Sequence, residues 1–173
     1  MKKILLLAAV LLFALFCGCS AQEEVFEEHN PGGFDYDMLD ISMIVDEIYA
    51  NVEISEFAAA SVAKVEDELI LTEQFYLDLN NVISFDIRSA SGKYGAADVA
   101  IIHVKEGAAD AVMDSLESRK DDRINEFLNF DVYDSYAIAM DAEVYQVGEL
   151  VVMLMLSDDD KVVAKGIVDK YLP

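Results

Sequence analysis

The chain has no tryptophan, two cysteines, two prolines and two histidines, and only 12 lysines and arginines against 34 aspartates and glutamates. Each shortage excludes something. Binding duplex or single-stranded nucleic acid needs a basic footprint that neutralises phosphates, and a formal net charge of −22 offers none. Anionic lipid headgroups would repel such a chain as well. The acids are dispersed rather than blocked, which marks a solvated face more than a site that recruits cations. Both cysteines, Cys17 and Cys19, lie one residue apart near the start. That excludes a disulfide framework, a thiolate zinc site and a catalytic cysteine elsewhere in the chain. His29 and His103 share no metal-ligand spacing, so no metal site is assigned. His103 is expected to be a structural histidine, at a sheet edge or beneath a covering helix.

Catalytic motifs are missing too. There is no Gly-x-Ser-x-Gly elbow. "SASGKYG" has Gly-Lys without the upstream glycine or the following Ser or Thr of a phosphate-binding loop. "DYDMLD", Asp35–Asp40, is dense in oxygen but lacks the glycine and distant glutamate of a calcium loop. Asp158, Asp159 and Asp160 directly follow Ser157, where carboxylates complement the positive end of a helix and complete a capping box. With so many acids, a pair of carboxylates carries no information. No catalytic residue and no cofactor is assigned, and the chain is not expected to be an enzyme.

What is present begins with Lys2 and Lys3 followed by an unbroken apolar run, Ile4–Phe16. A cationic start and a run of that length form a secretory signal. It is short of the roughly 20 apolar residues that cross a bilayer. The run ends in Phe16-Cys17-Gly18-Cys19, which resembles the lipobox of bacterial lipoproteins: a small residue, Gly18, precedes the cysteine. The resemblance implies that residues 1–18 are removed, Cys17 with them, and that Cys19 carries a diacylglycerol. Ordinary secretory cleavage after Ala21 is the alternative. Acyl chains contribute about 0.8 kcal/mol per buried methylene, so Cys19 would hold the protein on the outer, extracytoplasmic face of a cell membrane. Residues 19–36, with Pro31-Gly32-Gly33, read as an acidic tether, and 37–173 as one domain.

Within that domain Asp37 or Asp40 caps a helix with Ile41, Ile44, Val45, Ile48 and Val52 on one face. Residues 56–71 suggest no firm element. Thr72 reads as the cap of a short helix running to about Leu77. Val82–Ala90 alternates as a half-buried strand, with Ile83, Phe85 and Ile87 one way and Ser84, Asp86 and Arg88 the other. Asp98–Lys105 is the returning strand. A helix follows with Ala108, Val112, Leu116, Ile124 and Phe127 on its apolar side. Residues 133–142 form a linking helix, and a hairpin turns at Gly148. Ser157 caps a last helix striped by Val163, Ile167 and Tyr171.

The fold expected is α+β. Two strand-strand-helix units build one antiparallel sheet of about four strands, with helices packed on it and an N-terminal helix in addition. Asp98–Lys105 and Leu150–Leu156 are apolar on both faces, so both faces of the sheet's middle are covered, one by the helix near Ile41–Val52.

The lipobox, the tether, "AADVA" at Ala96–Ala100, the Leu116-Glu-Ser-Arg119 segment and the terminal Asp-Lys-Tyr together resemble a family of small lipoproteins of Gram-positive bacteria, one that carries only a domain-of-unknown-function label. The resemblance spans about residues 38–172 and implies a surface-attached protein with no catalytic residues to carry over. Two functions are weighed on that basis. The first is a non-enzymatic, lipid-anchored module that binds an unidentified protein or helps assemble an envelope complex. The second is a small-ligand or cation-binding lipoprotein accessory to a transporter. A convergent pocket would favour the second, and a flat apolar patch the first.

Overall fold

The computed structural model describes residues 33–173, so the leader, Cys19 and most of the tether lie outside the described residues. The described chain opens with a 3₁₀ turn, Tyr36–Met38, whose first orphan amide is met by the Asp35 carboxylate. Helix α1, Ile41–Asn51, follows; of the two expected caps Asp40 does the work, accepting from the Met43 amide. Ile41, Ile44, Val45 and Ile48 are all buried, as their spacing of three and four requires. Each such side chain contributes about 1.5–3 kcal/mol when fully buried, which is what holds a short helix in place.

Residues 56–71, expected to be irregular, form three short elements: helix α2, Glu56–Ser61, the two-residue strand β1, Ala63–Lys64, and helix α3, Glu68–Glu73. Thr72 is therefore not an N-cap. Asp67 caps α3, and Thr72 lies in its last turn with its hydroxyl donating to the Glu68 carbonyl. The local signal at Thr72 was real in composition but came after a stronger cap that an alanine-rich stretch had obscured.

Strand β2, Val82–Ser89, pairs antiparallel with β3, Asp98–Val104, through a bulge between Val82 and Ser84. The bulge changes the expected faces. Val82 joins Phe85 and Ile87, while Ile83 is turned out to 48 % exposure. The opposite face is not wet either, since Asp86 is fully buried. Helix α4, Ala109–Asn129, and helix α5, Ser135–Met140, lead to the hairpin β4, Glu143–Val147, and β5, Leu150–Met155. Gly148 takes φ 57° in the turn. A Cβ there would lie 1.7 Å from the Tyr36 hydroxyl, so the 3₁₀ turn packs on this glycine. Helix α6, Asp158–Tyr171, ends the fold, with Ser157 and Asp160 forming the expected reciprocal cap. Its buried stripe is Ala164, Ile167 and Val168; Val163, expected there, is 40 % exposed.

The sheet has five strands in the order β1-β2-β3-β5-β4, all neighbours antiparallel. The two strand-strand-helix units are β2-β3-α4 and β4-β5-α6, and β3 meets β5 at the centre. The fifth strand is the short β1. Both faces of the centre are covered. Helices α1 and α6 pack on Val99, Ile101, Val152 and Leu154, while α4 with Leu71, Phe75 and Leu77 packs on Ala100, Ile102, Val151 and Met153. No helix among the described residues is long and apolar enough to cross a membrane.

Candidate functional site

Helix α4 has to cover an apolar sheet face, yet the stripe it turns to the sheet reads Val112, Leu116, the half-buried Arg119, Arg123, Phe127. Arg123 is 3 % exposed and its neighbour Phe127 not at all. Two arginines facing the sheet need an anion there, and Asp98 supplies it. Asp98 is the first residue of β3, on the same face as Ala100 and Ile102, and is fully buried. Its Oδ2 lies 3.4 Å from Arg119 Nη2 and 3.3 Å from Arg123 Nε, and its Oδ1 accepts from the Ala90 amide at 3.0 Å.

Arg123 is hydrogen-bonded at both Nη atoms, while its buried Nε has only the ion-pair contact with Asp98. Nη1 donates to Glu126 at 2.6 Å, and Nη2 donates to the carbonyls of Ala90 at 3.3 Å and Gly95 at 3.2 Å. It therefore clamps the connection between β2 and β3 to the helix. The Glu126 carboxylate lies against Gly92, so a side chain there would have to displace it from Arg123.

Arg119 differs. Its guanidinium lies 4.7 Å over the Phe75 ring, and Nη2 donates to Ser89 Oγ at 3.2 Å and to Asp98. Nε is buried with no hydrogen-bond partner, and Nη1 has none among the described residues. A buried donor left unmade costs about 1–3 kcal/mol, so an orphan of this kind calls for an explanation. A cleft of about 540 Å³ opens between β1, the end of β2, α3 and α4. Its lining includes the apolar Val65, Ile70 and Phe75 and the hydroxyl-bearing Ser61, Ser89 and Ser91. Lys64, Arg119 and Arg123 line it too, with Glu66, Asp67 and Glu126 among them.

A second buried aspartate lies on the opposite face. Asp86 takes a two-point contact from Arg88, at 3.1 and 3.3 Å, and one from Lys64 at 3.3 Å. Arg88 also reaches Asp46 of α1 at 2.6 Å. Burial first, and then the Asp98 and Asp86 carboxylates, push the Tyr49 phenol far up, and its hydroxyl donates to the Ala97 carbonyl at 2.6 Å. Every charge on this side has a partner, and α1 closes over it.

His103 is on β3, a central strand rather than an edge, and is 1 % exposed. Its cover is the Tyr36–Met38 turn ahead of α1, with the Tyr36 ring 5.8 Å away. Nε2 is 3.0 Å from Glu149 and Nδ1 is 3.9 Å from Asp37. Asp35, Asp40 and Asp160 are capping groups, and Asp160 additionally accepts from the Glu53 amide at 2.7 Å. Among the described residues no three of His, Cys, Asp and Glu converge on a point fit for a metal ion.

The sequence reading passed over the arginine cluster, although its signal was there. From Val112 the helical stripe steps to Leu116, 119, 123 and Phe127, and the middle two positions are arginine. Two segments that carry the family resemblance, Ala96–Ala100 and Leu116–Arg119, hold the two ends of the Asp98–Arg119 pair. No curated protein and no solved structure matches the chain. A family model described as "Domain of unknown function (DUF4358)" matches residues 58–156, which takes in the cleft and the sheet from β1 to β5 but neither α1 nor α6. That span is more than half of the chain, and the protein therefore belongs to the DUF4358 family.

Proposed function

We propose that this protein is a non-enzymatic, lipid-anchored extracytoplasmic binding module whose cleft between β1, α3 and α4 receives a small ligand. Of the two functions weighed from the sequence, the small-ligand reading is thus preferred to the docking or envelope-assembly module. The observation that carries the preference is the cleft itself, a recess of about 540 Å³ whose lining mixes Val65, Ile70 and Phe75 with Arg119 and three serines. Ligand sites are typically recesses of about 300–1,000 Å³ with an apolar lining and a few convergent polar groups. The anchor reading rests on Gly18-Cys19 after the apolar run.

Two measurements test the proposal. Mass spectrometry of the mature amino terminus should find a diacylglyceryl group on Cys19, and Cys19→Ala should release the protein into the medium; a free terminus at Gln22 would overturn the anchor. For the cleft, protein purified from its native membrane is denatured and its retained small molecules are compared with those of Ser91→Trp, which fills the rim from an exposed position. A compound retained by the natural chain and lost from the variant supports the cleft, and equal recovery from both rejects it.

The docking reading keeps one specific observation. Phe57 and Tyr133, both more than half exposed, stack at 5.6 Å, and Tyr133 holds φ 53°. Crosslinks to another protein that vanish in Phe57→Ser and persist in Ser91→Trp would favour it.

A further inference from the structure

His103 is a buried titratable group with a carboxylate at each nitrogen of its ring. Nε2 lies 3.0 Å from Glu149 in the β4–β5 turn. Nδ1 is buried without a hydrogen-bond partner and faces Asp37 at 3.9 Å. A neutral imidazole has one donor and one acceptor. Whichever tautomer it takes, one nitrogen turns a lone pair toward a carboxylate, and burial makes that mismatch costly. Only the doubly protonated ring offers both acids a donor.

The surroundings leave this choice to those two acids. Ser84 on β2 and Leu150 on β5, the residues paired with His103, are neutral. Elsewhere on this face Asp86 and Asp46 are held by Arg88, with Lys64 also on Asp86. Where α1 meets α6, Glu47 is held by Lys170 and Tyr171. Asp35 and Asp40 cap the 3₁₀ turn and α1, and the Tyr36 ring lies 5.8 Å from the imidazole. Lys105 and Glu106 line a recess with Glu149. Among the described residues neither Asp37 nor Glu149 has a lysine or arginine within ion-pair distance.

The element above the ring is slight. The Tyr36–Met38 turn has no fully buried residue, and it rests on the domain through Tyr36, against His103 and Gly148. Asp37 makes its one ionic contact with the sheet. We propose that His103 is a proton-operated latch on this turn. The imidazolium bridges Glu149 to Asp37 and fastens residues 34–40, and loss of the proton releases them. Imidazole is the side chain that changes charge between about pH 5 and 8, so the turn is fastened at the acid end of that range and loosened at the other. Released, the seven residues 34–40 can span roughly 25 Å of extended chain ahead of α1. The latch goes beyond the binding proposal and depends on neither the cleft nor the anchor.

The chain has no tryptophan, so Phe34→Trp, at a 37 % exposed position against Tyr36, makes a single reporter of the turn. The full chain in detergent is taken from pH 5 to pH 8. Tryptophan quenching by acrylamide reads the turn, circular dichroism reads the fold, and the His103 ring is followed by nuclear magnetic resonance. Quenching should rise at least twofold toward pH 8, with the midpoint of the His103 ring signal and no change in the fold. His103→Gln should abolish the rise. Asp37→Asn, at a 78 % exposed side chain, should cut it by at least half. A constant reporter, a constant ring signal, or a turn that loosens toward acid would each overturn the latch. So would a full rise in His103→Gln or Asp37→Asn. Should His103→Gln not fold, the Asp37→Asn result decides alone.

Discussion

The two faces of the sheet solve one problem in two ways. Each carries a fully buried aspartate held by two cations, Asp86 under α1 and Asp98 under α4. On the α1 face Arg88 and Lys64 share Asp86, Asp46 of the covering helix takes the rest of Arg88, and the helix seals the edge. On the α4 face Arg119 and Arg123 each keep a buried Nε without a hydrogen-bond partner, and both line an open cleft. A charged cluster that is closed has a structural role, and the same cluster left open at one end becomes a place where something can bind. The helix that covers the face decides which it is.

The comparison can be broken most severely through α1. Ile44 is fully buried, and truncation at such a site alone costs about 2–5 kcal/mol. Ile44→Asp adds a buried, unpartnered carboxylate, so the far-ultraviolet circular dichroism melt should show little or no cooperative transition. Next come the two aspartates. Asp98→Ala leaves Arg123, 3 % exposed, without its buried counter-ion, and should cost about 3–5 kcal/mol in urea unfolding. Asp86→Ala should cost less, about 1–3 kcal/mol, because Lys64 reaches solvent and Arg88 keeps Asp46. Equal losses would mean the two clusters are not different in kind.

Arg119→Gln should cost only about 1–2 kcal/mol, chiefly its cation–π contact with Phe75, since Asp98 keeps Arg123. A larger loss would make Arg119 a structural residue. The smallest effect lies where α1 meets α6. Lys170 and Tyr171 hydrogen-bond to Glu47 and hold its carboxyl below the usual range. A lowered carboxylate stabilises the fold above its unfolded pKa, and that contribution fades as the pH falls through the folded one. Acid titration of the melting temperature should therefore flatten slightly in Glu47→Gln. An unchanged acid limb would remove Glu47 from the account.

Periodicity made the long elements legible. Spacings of three and four placed Ile41, Ile44, Val45 and Ile48 on one buried face, and double-sided apolar strands called for cover on both sides of β3 and β5. Ser157 and Asp160 announced the start of α6, because a cap is a local arrangement of neighbouring residues. Other features depended on contacts between distant residues. The bulge that turns Ile83 outward arises from pairing with β3, and the helices and strand of residues 56–73 exist because β2 and the cleft floor receive them. Val163 was drawn inward by its spacing, but the line along which α6 meets α1 selected Ala164 and Val168 instead. The candidate site is the clearest case. Arg119, Arg123 and Asp98 could each be read as polar residues of an acidic chain until the fold set them on facing surfaces. A sequence determines which side of an element a residue takes, since that follows from the backbone period. Whether a charge on that side is matched or left with a free edge depends on what lies across from it, and only the tertiary structure decides that.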